Sequence, residues 1–254
     1  MKEKLISLKN KPVVLLAVAA VLLLLSTVGA TQAAITSYSE NYETTIQAPN
    51  VNVSLMEKQD GEFVEVGASG SSVLLSKMLE QSEGKLILGK TYAEKLKVRN
   101  TGTTDAYVRV VITKNWTDSD GNIDRKLSPE NIEILLAETG NWVKDDSAST
   151  DERTVLYYKN ILPVYDGTNA DKSDTSIFMD TVKVRSGFDL IVEDKNEDNN
   201  DNIITYSYPY DGYKMNVTVE VDAVQTYDAV EAIKSAWGVI VEASETDGSL
   251  TFKF

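Results

Sequence analysis

Tyr213-Lys-Met-Asn-Val-Thr-Val-Glu-Val-Asp-Ala223 alternates strictly. Tyr213, Met215, Val217, Val219, Val221 and Ala223 fall on one side, and Lys214, Asn216, Thr218, Glu220 and Asp222 on the other. A period of two belongs to a strand, whose successive side chains point to opposite faces. One apolar and one polar face means a strand buried on one side only. That pattern fits an antiparallel sheet rather than the doubly covered parallel sheet of an α/β protein.

The same signal recurs outward from this stretch. Val108, Val110 and Ile112 alternate up to Trp116, Leu96 and Val98 alternate with charges within Lys95–Arg99, and Val51, Val53 and Leu55 form an earlier strand. Ile132–Leu136, Trp142–Lys144, Arg153–Lys159 and Ile203–Tyr208 read as shorter strands, and Phe178, Val182 and Val184 share a face. Asn100–Asp105 and Asp118–Asn122 read as turns, and Asp247-Gly248 turns a hairpin between Val239–Val241 and Leu250–Phe254. Glu57–Gly70 is a loop or hairpin, Pro163–Asp174 a loop, and Glu193–Asn202 an exposed acidic tip. Two helices are predicted. Ser71–Glu83 places Leu74, Leu75, Met78 and Leu79 on one face before Gly84. Asp228–Trp237 carries an Asp228/Glu231 capping pair, an apolar face of Val230, Ile233 and Trp237, and Gly238 as a stop. About ten half-buried strands and two short helices make a mainly β chain, an antiparallel jelly-roll-like β-sandwich.

The N-terminus reads differently. A basic stretch over residues 2–11 precedes the apolar run Val13–Leu25, which is shorter than the ~20 residues a membrane-spanning helix needs. Small residues then lead to Ala33 and Ala34, so residues 1–34 read as a signal peptide cut after one of those alanines. An uncleaved anchor is the alternative and is the only membrane association the sequence offers. Residues 35–49 form a polar arm ahead of the sandwich domain, 50–254. As a strand, the arm presents Tyr38, Tyr42 and Ile46 on one face; as a helix the same three residues stack. Its Ser, Thr and Tyr content favours the strand.

Composition narrows the function. The chain has 39 acidic and 25 basic residues, a net charge of −14. Such a surface repels nucleic acid and anionic membranes. There is no cysteine and no histidine. That removes disulfides, thiol nucleophiles, thiolate metal sites and the commonest acid–base group at neutral pH.

The remaining motifs are weak. Asp118, Asp120, Asn122 and Asp124 have the spacing of a calcium loop, but Ile123 and Pro129 stand where an EF-hand needs Gly and Glu. Calcium is thus the one cofactor candidate, against a plain hairpin turn. Ser82-Glu-Gly-Lys85 matches an acylation motif that lacks its companions. Trp116, Trp142 and Trp237 could stack on a carbohydrate, or pack in the core.

Three stretches together resemble a known family. They are Gly29-Ala-Thr-Gln-Ala-Ala-Ile-Thr-Ser-Tyr-Ser-Glu-Asn-Tyr42, Leu96-Lys-Val-Arg-Asn-Thr-Gly-Thr-Thr-Asp-Ala-Tyr-Val-Arg-Val110 and Val221-Asp-Ala-Val-Gln-Thr-Tyr-Asp-Ala-Val-Glu-Ala-Ile-Lys-Ser-Ala-Trp-Gly238. The chain resembles the TasA/camelysin family of exported proteins of Gram-positive bacteria. The resemblance implies a SipW-type signal peptidase as partner and a secreted jelly-roll subunit. Such subunits polymerise into extracellular biofilm-matrix fibres, each donating its N-terminal strand to the next copy. Carried over, the donor is Ile35–Gln47, with Ile35, Tyr38, Tyr42 and Ile46 in it. The family also includes a described metalloendopeptidase, but without histidine a zincin mechanism does not transfer. The expectation is a non-enzymatic, self-assembling protein, with a carbohydrate-binding module as the alternative and a secreted metalloendopeptidase as the disfavoured third.

Overall fold

The alternating segments become strands, paired antiparallel throughout. The computed structural model describes residues 12, 16–22, 50–67, 74–165, 167–168, 170–187, 191–195, 203–207, 210 and 212–254. The chain divides into Met1–Ala48 and Pro49–Phe254. In the first unit, residues 12 and 16–22 are helical. No described helix is long and apolar enough to cross a membrane.

In Pro49–Phe254, one sheet has the order β2 (Glu62–Glu65), β1 (Val53–Gln59), β3 (Thr91–Asn100), β8 (Met179–Val184) and β5 (Ile132–Leu136). A second has the order β11 (Lys214–Gln225), β4 (Ala106–Thr117), β7 (Arg153–Tyr158) and β6 (Trp142–Lys144). Their inner faces share one core. Leu96, Val98, Val182 and Val184 of the first sheet meet Val108, Val110, Ile112 and Leu156 of the second, all buried. Burying each such aliphatic side chain contributes roughly 1.5–3 kcal/mol. The fold is therefore the mainly β antiparallel sandwich that the period-two segments predict. Two hairpins complete it: β9 (Ile191–Lys195) with β10 (Ile203–Ser207), and β12 (Ile240–Ala243) with β13 (Leu250–Lys253). Of the acidic run Glu193–Asn202, residues 193–195 lie in β9, and 196–202 fall outside the described residues.

The turn joining β3 to β4 is fixed by backbone bonds from Thr101 to Asn52 and from Thr103 to Asn50 and by the Asn100 side chain. Buried Asn100 donates from Nδ2 to the carbonyls of Thr104 and Leu162, and its Oδ1 accepts from the N–H of Gly102. A Cβ on Gly102 would lie 2.4 Å from the Asn50 carbonyl oxygen and 2.7 Å from the Asn52 nitrogen. Only glycine lets those backbones meet.

Two helical expectations need correction. The described part of Ser71–Glu83 is not an α-helix: residues 74–78 are turns, followed by a short 3-10 helix, Leu79–Ser82. Leu75 sits at φ 60°, left-handed, which the interior of an α-helix does not accommodate. The apolar residues still face inward, with Met78 buried and Leu74, Leu75 and Leu79 packed beside it. A four-residue helix, α1 (Ala170–Ser173), lies instead within the expected Pro163–Asp174 loop.

Helix α2 (Ala229–Trp237) is where the sequence placed it and ends at Gly238 in the left-handed conformation. Asp228, however, is itself left-handed and its side chain makes no capping bond. The buried residues are Ala229 and Ile233, with Trp237 half-buried, while Val230 is exposed. The helix thus contacts the protein through positions 229, 233 and 237 at i, i+4, i+8. With β12–β13 it covers the outer side of the second sheet over Tyr107, whose hydroxyl donates to the Gly248 carbonyl at 2.6 Å.

Candidate assembly groove

β11 is an edge strand. It pairs with β4 along its full twelve residues, from Lys214 opposite Thr117 to Gln225 opposite Ala106. Among the described residues no strand pairs with its other side. Its inner side chains betray this exposure. Val108, Val110 and Ile112 of β4 are buried, whereas Met215, Val217, Val219 and Val221 are only partly so. An unpaired strand edge offers a row of N–H and C=O groups to another chain.

Beside the start of β11 runs a groove of about 640 Å³. Leu74, Leu75, Met78 and Leu79 form one wall, and Tyr213, Met215 and Val217 lie across from them. Leu86 and Ile123, both exposed, also line it. Of the eight large apolar side chains exposed among the described residues of this unit, two lie at this groove.

The turn Asp118–Asp124 fastens this end of the strand. Asp118 Oδ1 accepts from the N–H groups of Asp120 at 3.0 Å and Asn122 at 2.9 Å, and Gly121 takes φ 86°. Asp124 Oδ1 accepts from the Lys126 N–H at 2.9 Å, and Oδ2 from the Tyr213 hydroxyl at 2.8 Å. The Lys126 N–H, then the Tyr213 hydroxyl, hold the Asp124 carboxyl below the usual carboxylate range. Of the four calcium candidates, Asp118 and Asp124 therefore turn their carboxylates to the turn's own backbone and to Tyr213. Among the described residues no group of three or more His, Cys, Asp or Glu is gathered to hold a metal.

Ala33, Ala34, Ile35, Tyr38, Tyr42 and Ile46 lie outside the described residues. Ser82 of the Ser-x-x-Lys match bonds to the Tyr92 hydroxyl and the Lys85 carbonyl. The tryptophans sit in separate places. Trp116 is buried and donates to the Ser128 carbonyl. Trp142 packs on Tyr158 at 5.0 Å and Phe178 at 5.4 Å, and Trp237 packs on Tyr157 at 5.6 Å. The paired, exposed indoles of a sugar platform are not assembled.

Sequence reasoning missed a pair of carboxyls behind the groove wall. Glu57 of β1 and Glu94 of β3 are both almost fully buried, at 0 % and 1 % exposure. Burial, then the charge of Glu57 and a hydrogen bond to it, pushes the Glu94 carboxyl up to about 8. Both residues fall in phase with inward apolar neighbours, Val53 and Leu55 for Glu57, Tyr92 and Leu96 for Glu94. That phase was the available signal.

Comparison with protein-family models and with curated sequences finds no match.

Proposed function

We propose that this chain is an exported, non-enzymatic subunit that assembles with copies of itself by β-augmentation. Residues 35–48 of one copy add as a strand to the free edge of β11 in the next. The observation that carries this reading is β11 itself: a twelve-residue edge strand with half-covered apolar side chains beside an apolar groove. A donor of that length, with Tyr38, Tyr42 and Ile46 on one face, supplies both backbone partners and side chains for the groove. The resemblance to the TasA/camelysin family supports the same assignment. Cleavage after Ala33 or Ala34 by a SipW-type signal peptidase frees the donor and licenses assembly outside the cell.

The absence of cysteine allows a test without background. Tyr42→Cys is combined in turn with Met215→Cys, Val217→Cys and Thr218→Cys, in the chain starting at residue 35. Oxidation is expected to yield ladders of disulfide-linked multimers with at least one of the three. A Glu133→Cys partner, on β5 of the other sheet, is expected to give none. Ladders with Glu133→Cys alone, or with no pair, overturn the reading.

A further inference from the structure

The wall opposite β11 is an irregular segment, residues 74–83, that closes the sandwich edge with Leu74, Leu75, Met78 and Leu79. It is tied down chiefly through polar side chains beneath it. Leu75, held left-handed, donates its N–H to Glu57 Oε1 at 2.8 Å. Glu57 Oε2 accepts from Gln59 Nε2 at 2.7 Å. β1 pairs with β3 only as far as Leu96, and beyond that end Gln81 takes the place of a strand. Its Oε1 accepts from the Ala93 N–H at 3.1 Å, and its Nε2 donates to the Ala93 carbonyl at 3.1 Å and to Glu94 Oε1 at 3.3 Å. Two of the segment's ties, at Leu75 and Gln81, therefore reach one pair of buried carboxyls, beside those of Ser76 to Gln59, Ser82 to Tyr92 and the Gln81 carbonyl to Lys90.

We propose that residues 74–83 are a movable cover on the groove, latched by the Glu57–Glu94 pair and released when Glu94 gives up its proton. While Glu94 keeps its proton it is hydrogen-bonded to Glu57, and every other tie is intact. Without it, two negative charges face each other in a site that excludes water. Nearby cations are engaged elsewhere. Lys77 of the cover pairs with Glu80 and Asp60, Lys90 bonds to the Gln81 carbonyl, Lys95 of β3 pairs with Asp180, and Lys97 with Asp174. Tyr92 of β3 bonds to Ser82 and to the Ile87 N–H. Across the groove β11 presents Met215 and Val217, with Lys214 exposed at its end. Opening the cover admits water to the pair, which is the relief the site lacks when shut.

The sign follows from linkage. In the closed state Glu94 keeps its proton up to about pH 8, whereas an open, hydrated carboxyl loses it near its ordinary 4.5. Opening therefore becomes easier as pH rises between those values, by up to about tenfold per pH unit, and levels off above. The link from opening to assembly rests on the groove being the acceptor, as proposed above.

Amide exchange at Leu75, corrected for intrinsic rates, tests the latch from pH 5 to 9 in the chain starting at residue 35, kept dilute. Protection of Leu75 is expected to fall with pH, to stay below that of Val110 in β4, and to become flat in Glu94→Gln. Glu57→Gln, which removes the neighbouring charge, is expected to shallow the slope as well. A pH-independent protection factor in the unaltered protein overturns the latch, whatever the variants do. So does protection equal to that of Val110 throughout, which would mean global opening. Fibre growth measured over the same range separates the two readings. Cover opening that leaves growth unchanged sinks the groove as acceptor and leaves the latch standing. Growth that follows pH with constant Leu75 protection sinks the latch alone.

Discussion

Glu94 occupies an inward position of β3 between Tyr92 and Leu96, a place that alternation reserves for apolar side chains. Its carboxyl is raised by burial and by Glu57, so the folded protein holds a proton that the unfolded chain releases above about pH 4.5. A group raised in this way costs stability as pH climbs from its unfolded value to its folded one. Stability is expected to decline from about pH 4.5 to about pH 8 on this account and then to level. Glu94→Gln is expected to remove most of that slope and to stabilise the protein at pH 7.5 by on the order of 2 kcal/mol. Urea denaturation at stepped pH checks both. A slope unchanged by the substitution would place the titrating group elsewhere.

Other residues show what spacing does and does not encode. The charges alternating through Lys95–Arg99 lie on the outer side of β3 and find carboxylates distant in sequence. Lys95 meets Asp180, while Lys97 and Arg99 meet Asp174, whose side chain is buried. The alternation was legible; the partners, about 75 residues on for Arg99, depend on β3 lying beside β8 and bridging to Asp174 ahead of it.

At the scale of elements, period two was the reliable guide. Tyr213–Ala223 became β11, and Val108, Val110 and Ile112 became the inner face of β4, because a half-buried strand must alternate. The failure at Ser71–Glu83 has a physical cause. Leu74, Leu75, Met78 and Leu79 have helical spacing, but the Leu75 N–H is drawn to Glu57 rather than up its own chain, and Leu75 turns left-handed. A tertiary bond overrode local preference, and a sequence window shows no tertiary bonds. The groove was likewise illegible in advance, since its two walls, residues 74–79 and 213–217, meet only in the fold.

Leu86→Asp and Ile123→Asp alter side chains already exposed, at 37 % and 59 %. Such changes are expected to move monomer stability by no more than about 0.5 kcal/mol, while placing a carboxylate at the mouth of an apolar site. Assembly followed by light scattering is expected to slow at least tenfold in each. Unchanged kinetics in both would direct attention to another face.

For the whole molecule, charge and edge pull in opposite directions. Copies starting at residue 35, with 38 acidic and 21 basic residues, repel one another at a distance. Only short-range bonding of the kind a strand edge provides, to backbone and apolar side chains together, offsets that repulsion on contact. Electron microscopy of the concentrated chain starting at residue 35, beside the same chain lacking residues 35–48, tests this most directly. Fibres from the first and dispersed monomers from the second are the expected result. Fibres of equal number and form from both, or monomers from both, would contradict assembly by strand donation.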